Sequence, residues 1–130
     1  MATYLFTHQA CIEHDPGSYH PERPDRLRAV LAALDGDDFA HLERREAPAI
    51  DVDEIKRVHD PLYVDAVLAS VPTRGQVHLD PDTALSPASG EAALRAAGAA
   101  AAAVDAVIGG GNAFCAVRPP GHHAEPDKAM

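Results

Sequence analysis

The sequence predicts an α/β protein in which helices cover both faces of a parallel sheet, giving three layers. Two short runs rich in β-forming residues, at positions 3–7 and 113–117, are too short for helices and are typical of buried strands. The segments between them carry helix start signals and helical apolar periodicity. Strands that alternate with helices along a chain favour a parallel sheet. We therefore expect about three strands within these 130 residues.

The first strand is followed by residues 8–23, which are rich in polar residues, proline and glycine and are predicted to form a long loop. This loop contains His8, Cys11 and His14, all of which are metal-ligand types. Their even spacing of three residues suits no regular tetrahedral zinc motif. We therefore predict no metal site in this loop.

A helix is predicted to begin at Pro24, because proline favours the first helical position and Asp25 follows in the first turn. Apolar residues then recur three or four positions apart and form one stripe, namely Leu27, Val30, Leu31 and Leu34. The pair Asp35-Gly36 predicts the end of this helix.

Residues 43–50 are predicted to form the second strand, which Pro48 and the following turn end. A short helix capped by Asp51 or Asp53 follows, and Asp60 with the proline after it is typical of the start of another helix. The short helix carries Ile55 and Val58, and the second helix makes four apolar residues available to the core, namely Leu62, Tyr63, Val67 and Leu68.

Residues 71–85 are predicted to form a loop that contains Asp80 and Asp82. These carboxylates either bond backbone amides two residues further on, as in ordinary turns, or face a substrate. The longest helix is predicted from Ser86 to about Ile108, and its alanine run, residues 96–103, would let neighbours approach closely. Three glycines and Asn112 then turn the chain into the last strand.

The composition and charge of the chain limit the classes of function that it can have. The chain is predicted to be one domain, residues 1–130, and its 46% of hydrophobic residues is ordinary for a globular protein. A formal net charge of −9 argues against a nucleic-acid partner and is compatible with a cationic substrate. Two cysteines are too few for a disulfide framework. No segment has the form of a signal peptide or a membrane span, so a cytoplasmic protein without a membrane partner is expected.

The stretch with the clearest chemistry is Arg-Pro-Pro-Gly-His-His-Ala-Glu, residues 118–125, which directly follows the last predicted strand. The two prolines fix φ, and Gly121 offers freedom for a turn or for close approach of a ligand. His122 and His123 would then stand at the carboxyl end of a strand, where α/β sheets place their sites. One imidazole can accept a proton while its neighbour donates one. A pair of histidines alone, however, is more often a solvated turn.

The complete run resembles the histone deacetylase family, which includes bacterial deacetylase-like amidohydrolases and acetylpolyamine amidohydrolases. Three further matches occur in the family's order, namely His-Pro-Glu-Arg-Pro-Asp-Arg-Leu at 20–27, His-Asp-Pro-Leu-Tyr-Val at 59–64 and Asp-Pro-Asp-Thr at 80–83. The resemblance spans residues 7–125. It implies the arginase/deacetylase fold, whose parallel sheet is larger than three strands. It also implies a zinc ion, with ligands expected downstream of residue 130, so that this chain would be an amino-terminal portion with no metal ligands of its own.

By this resemblance, His122 and His123 are the expected catalytic acid and base, and Asp82, Arg26 and Gly121 the expected substrate-binding residues. For Arg26, a solvated position or a structural ion pair is an equal alternative. The implied substrate is an acetylated amine, either a lysine side chain or a polyamine. The alternative function is a non-catalytic α/β fragment or binding module without a zinc site. We expect the 130-residue chain to be inactive alone, and a homo-oligomer is compatible with the sequence.

Overall fold

The computed structural model describes all residues from Met1 to Met130. Its elements follow one another in the order β1 (Thr3–Thr7), α1 (Ala10–Glu13), α2 (Pro24–Leu34), a 3-10 turn (Asp37–Phe39), β2 (Glu43–Glu46), α3 (Val52–Ile55), α4 (Pro61–Ala69), β3 (Val77–Asp80), β4 (Thr83–Leu85), α5 (Ser89–Ile108) and β5 (Asn112–Cys115). None of the helices is long and apolar enough to cross a membrane.

The main sheet has three parallel strands, and the first strand of the chain lies in its centre. β1 pairs with β2 on one side and with β5 on the other, so that Leu5 stands in register with Arg44 and with Phe114. The predicted parallel sheet is therefore confirmed. Its two crossover connections carry all five helices and the hairpin of β3 and β4.

The core lies on both faces of this sheet, which confirms the three layers. On one face Leu5 packs with Cys11 of α1 and Leu27 of α2, and Leu31 and Leu34 pack against this cluster. On the other face the core is formed by Phe6, Ala47 and Ala99 of α5. Val30, the remaining residue of the predicted stripe on α2, is 39% exposed and lies outside the core.

Helix α5 approaches the chain that follows β2 as closely as its small residues allow. A Cβ atom added to Gly98 would overlap the carbonyl oxygen of Pro48 and come within 2.9 Å of the backbone nitrogen of Ile50. The N–H of Ile50 donates to the carbonyl of Leu94 at 3.1 Å, and Arg95 Nη1 donates to the carbonyl of Ala47 at 3.1 Å. The prediction that this helix packs tightly against its neighbours is confirmed.

The second predicted strand was too long. β2 ends at Glu46. Ala47 still donates to the carbonyl of Thr7, but Pro48 then offers no N–H with which the pairing could continue. The last predicted strand was not fully buried either. Phe114 in β5 is 52% exposed, because no strand covers the outer side of β5.

Two predicted loops contain regular structure. Residues 8–23 include the single turn of α1, and residues 71–85 include the antiparallel hairpin of β3 and β4. At the tip of this hairpin, Asp80 Oδ1 accepts a hydrogen bond of 2.7 Å from the N–H of Asp82. The turn chemistry considered for this segment is therefore present, and Asp80 provides it.

The predicted helix caps at Asp51 and Asp60 are confirmed. Asp60 Oδ1 accepts from the N–H groups of Leu62 at 2.8 Å and of Tyr63 at 3.2 Å, so that α4 begins at a fixed point. The interior residue of α4 is Val64, whereas Leu62 is 80% exposed and Val58 also lies on the surface. The prediction that Leu62 is available to the core is therefore wrong.

Candidate active-site cleft

The two longest loops of the carboxyl edge leave the sheet side by side. β1 and β5 are parallel neighbours, so residues 8–23 and residues 116–130 begin at the same edge. Thr7 Oγ1 donates to the carbonyl of Ala116 at 2.8 Å and joins the two exits. This arrangement brings residues that are about one hundred positions apart into one site.

Arg118 ties the start of the tandem-histidine loop, defined here as residues 118–126, to the loop after β1. Its guanidinium is buried and donates two hydrogen bonds to the Glu22 carboxylate, from Nε to Oε1 at 2.8 Å and from Nη2 to Oε2 at 2.9 Å. Nη1 also donates to the carbonyls of Cys11 at 2.7 Å and of His14 at 2.6 Å. Burial raises the pKa of Glu22, but the hydrogen bonds and charge of Arg118 outweigh it and hold this pKa below its usual range.

Behind this ion pair lies the buried imidazole of His14. Its Nδ1 is 2.6 Å from Ser89 Oγ, and its Nε2 is 3.9 Å from Glu22 Oε2. Burial, reinforced by the charge of Arg118, lowers the pKa of His14 to about 4. His14 is therefore neutral at physiological pH and serves as a polar packing residue behind the ion pair.

The other end of the tandem-histidine loop is held by the junction of α3 and α4. His59 Nδ1 lies 3.0 Å from the carbonyl oxygen of Glu125, and the N–H of Asp60 donates to the carbonyl of Pro126 at 2.8 Å. Between the two anchored ends, the N–H of Ala124 donates to the carbonyl of Gly121 at 2.9 Å and closes a turn. The loop is thus fixed on both sides of its histidines.

The two imidazoles of His122 and His123 lie close together and are both exposed. Their ring centroids are 4.2 Å apart, with the planes tilted by 53°. Rings at this distance and tilt can reach neighbouring atoms of one small substrate group. The arrangement suits two proton transfers on the same bond.

Both histidines line a cleft of about 450 Å³. The floor and walls come from the loop after β1, from the β3–β4 hairpin, from Tyr63 and Val67 of α4, and from the tandem-histidine loop itself. Burial raises the pKa of Tyr63, and the carboxylates of Asp80 and Asp127 add to this effect. The cleft therefore combines an apolar interior with negative charge near Tyr63.

Asp82 stands at this cleft, as the substrate-binding prediction requires, and is partnered there by His20. His20 Nε2 lies 3.1 Å from Asp82 Oδ1 and 2.9 Å from the Asp82 carbonyl, and His20 Nδ1 accepts from the N–H of Glu22 at 3.0 Å. Because Nδ1 is an acceptor, the ring proton lies on Nε2 and faces Asp82. The hairpin is therefore linked to the loop after β1 across the cleft.

The other two predicted substrate residues differ in position. Arg26 does not line the cleft; it forms an exposed ion pair with Glu22, Nη1 to Oε1 at 3.1 Å, which is the structural alternative considered above. Gly121 lines the cleft, but its φ is not positive, and an added Cβ would meet nothing within 4 Å. Its backbone therefore does not require glycine. A role in substrate binding for either residue stays a prediction.

The residues of this chain do not fit a zinc ion. No group of three or more His, Cys, Asp or Glu side chains is arranged to hold a metal. Glu22 is occupied by Arg118, His14 by Ser89, and His20 by Asp82. A family-type zinc site would need ligands other than these.

Three residues that hold the site were not singled out by sequence reasoning, namely Glu22, His59 and Arg118. Glu22 and Arg118 lie within the quoted motifs but are 96 positions apart, and nothing in their spacing links them. His59 also lies within a quoted motif, 66 positions from its partner Glu125. The available signal was that each belongs to a motif of the same family.

Comparison with known proteins gives the family and the fold of this chain. A histone deacetylase domain model matches residues 20–130. The chain is 39% identical to the histone deacetylase-like amidohydrolase of Pseudomonas aeruginosa over 85% of this chain, and 33% identical to a probable deacetylase of Archaeoglobus fulgidus over 97%. The crystal structure of the HDA15 HD domain superimposes with a TM-score of 0.86 at 34% identity and covers 99% of this chain.

The match covers only part of each relative. This chain spans 30% of the Pseudomonas protein, 36% of the Archaeoglobus protein and 39% of the HDA15 HD domain chain. The expected arginase/deacetylase-like fold is confirmed for the residues described, since the superposition extends over almost all of them.

Proposed function

Because the chain belongs to the histone deacetylase family, we propose that it supplies the acid–base half of an active site that hydrolyses acetylated amines. The observation that carries this proposal is the pair of adjacent imidazoles, 4.2 Å apart, on a loop anchored at both ends and open to a cleft. A loop held in this way keeps the backbone that carries both rings in one position before substrate binds.

The two histidines divide the proton transfers of amide hydrolysis. One neutral imidazole accepts a proton from the water whose oxygen attacks the amide carbonyl carbon. The protonated imidazole of the other donates to the amine nitrogen as the carbon–nitrogen bond breaks. Collapse gives acetic acid and the amine, which exchange a proton to leave acetate and the ammonium form of the amine, and the pair of rings ends with the same number of protons as it began.

Zinc dependence is part of this proposal. The ion would be bound by residues outside positions 1–130, since the side chains described do not form its site. The 130-residue chain is accordingly proposed to be inactive alone.

The proposed substrate is an acetyl group on a lysine side chain or on a polyamine. The net charge of −9 and the carboxylate of Asp82 at the cleft favour a cationic amine over an anionic one. We propose Asp82 as a contact for the substrate at the rim. A cytoplasmic location is likewise a proposal.

The test is to replace each tandem histidine in an enzyme that extends this chain through its zinc ligands. We expect His122→Ala and His123→Ala each to lower kcat/KM for an acetyl-lysine reporter by at least ~100-fold, because each removes a positioned acid or base. His41→Ala is the matched control, since His41 is exposed and does not line the cleft. Near wild-type turnover in both single variants, with zinc content unchanged, would overturn the acid–base role of the two histidines. Absence of turnover in the zinc-loaded wild-type enzyme would instead favour a non-catalytic binding module.

A further inference from the structure

The downstream end of the tandem-histidine loop rests on two hydrogen-bond donors from one junction. His59 Nδ1 is 3.0 Å from the Glu125 carbonyl and 3.3 Å from the Pro126 carbonyl, and the Asp60 N–H is 2.8 Å from the Pro126 carbonyl. Carbonyl oxygens only accept hydrogen bonds, so the hydrogen of the His59 ring lies on Nδ1. Glu125 is only two residues beyond His123.

The junction that carries these donors is itself fixed. Asp60 caps α4 through two backbone N–H groups, and the His59 ring packs against Tyr63 one turn further on, with 5.9 Å between ring centroids. The accepting turn is also closed, because the N–H of Glu125 donates to the carbonyl of Lys128 at 2.9 Å. A displacement of this turn would therefore be passed directly to His123.

We propose that His59 is a positioning residue for His122 and His123, acting through its Nδ1–H on the carbonyl of Glu125. The catalytic part of this inference rests on the proposed function. Arg118 fixes the upstream end of the loop with a buried side chain, so the downstream end depends on the partly exposed His59 contact. Without it, the turn would be held by the Asp60 N–H alone.

Two substitutions of His59 both remove the ring, but only one of them keeps a hydrogen-bond donor in place. His59→Asn places an amide nitrogen where Nδ1 stands and can keep the hydrogen bond, whereas His59→Gln moves the amide one carbon further out. Both residues are polar and similar in size, and the site is near the surface, so both variants should fold. His41→Gln, at an exposed histidine, is the matched control.

Amide hydrogen exchange of residues 121–128 tests the positioning itself, without reference to activity. We expect His59→Gln to speed exchange in this segment by about tenfold and His59→Asn to leave it close to wild type, because only the first loses the contact. Unchanged exchange in His59→Gln, or equal acceleration in both variants, would overturn the inference.

Steady-state kinetics of the zinc-loaded complete enzyme tests the catalytic consequence. We expect His59→Gln to lower kcat about tenfold with KM within about twofold, and His59→Asn to restore kcat, because only the orientation of the histidines changes. Faster exchange with unchanged kcat would overturn the catalytic part. If wild-type enzyme shows no amidase activity, the proposed function fails, and the exchange experiment alone decides whether His59 holds the loop.

Discussion

Arg118 and Glu22 form a buried ion pair whose stability depends on the backbone around it. Taking two charges out of water is costly, and a buried pair alone is often no better than an apolar contact. Here both carboxylate oxygens and three backbone carbonyls accept from the same guanidinium, so each of its nitrogens has a partner. A lysine could not reproduce this planar, forked set of donors.

His14 makes the stability of this region depend on pH. In the folded chain its pKa is about 4, against an ordinary value of 6.5, because burial and the charge of Arg118 disfavour the imidazolium. Below pH 6.5 the unfolded chain therefore binds a proton that the folded chain does not. The stabilising effect of a neutral His14 is complete above pH 6.5 and is lost as the pH falls towards 4.

We expect the free energy of unfolding to fall by about 3 kcal/mol between pH 6.5 and 4 from this residue alone. Urea unfolding followed by circular dichroism at several pH values measures it. His14→Gln should be less stable at neutral pH but should lack this part of the pH dependence, because no imidazole remains to be protonated. An identical slope in both proteins would contradict the assignment.

For single residues, the sequence could predict where the two histidines lie but not which residues hold their loop in place. The tandem histidines are predicted at the carboxyl end of a strand and lie in the loop that follows β5, because a local motif carries that information. The Glu22–Arg118 and His59–Glu125 contacts join residues 96 and 66 positions apart, and only the folded sheet brings them together. Arg26 was taken from motif position, while its neighbour Glu22 makes the buried contact.

Among the helices, the position of α5 depends on a residue without a side chain, Gly98. Gly98 lets the helix touch the backbone after β2, and the hydrogen bond from Ile50 to Leu94 depends on that approach. The glycine costs helix propensity, and the close contact offsets this cost. The alanine run around it serves the same packing on the face of Phe6.

We expect Gly98→Ala to destabilise the chain by about 3 kcal/mol, because one added carbon must move either the helix or residues 48–50. Gly109→Ala is the control. Gly109 has φ of −71°, and its added Cβ would meet only ordinary contacts at 3.5 Å, so its effect should stay within about 1 kcal/mol. Thermal unfolding of both variants measures the difference. Equal stability would show that the backbone yields easily at Gly98.

The elements that sequence reasoning found are those with long or well-marked signals. α2 and α4 begin at prolines, α5 has a long alanine-rich run, and β1 has a continuous β-forming pattern. Those it missed are very short. α1 has four residues, and β3 and β4 have four and three, so neither apolar periodicity nor strand alternation can develop in them.

In the whole molecule, the two edges of the sheet differ in their protection. The β2 edge reads Glu-Arg-Arg-Glu and is exposed along its length, and such charges oppose pairing with another strand. The β5 edge reads Asn-Ala-Phe-Cys and carries no charge, while Phe114 is exposed on it. Association of one chain with another is therefore expected at β5.

We expect the 130-residue chain to self-associate, and Phe114→Lys to weaken that association by at least about tenfold, since it removes apolar area and adds a charge to the edge. Sedimentation velocity over a range of concentrations measures the change. Val58→Lys, at an exposed residue outside the sheet, is the control. A wild-type chain that stays monomeric at high concentration, or equal association in all three proteins, would contradict the prediction.

Because β1 lies in the centre of the sheet, the order in which the strands are synthesised decides when its two edges can be paired. β1 leaves the ribosome before β2 and β5, yet the neighbouring strand β5 is joined to it by a contact between residues 109 positions apart. At ordinary rates of synthesis, that gap lasts roughly 5–20 s. Throughout this time the middle strand of the sheet has an open edge, although in the finished chain it is covered on both sides. The nascent chain is thus most exposed to mispairing at the strand that ends up best protected.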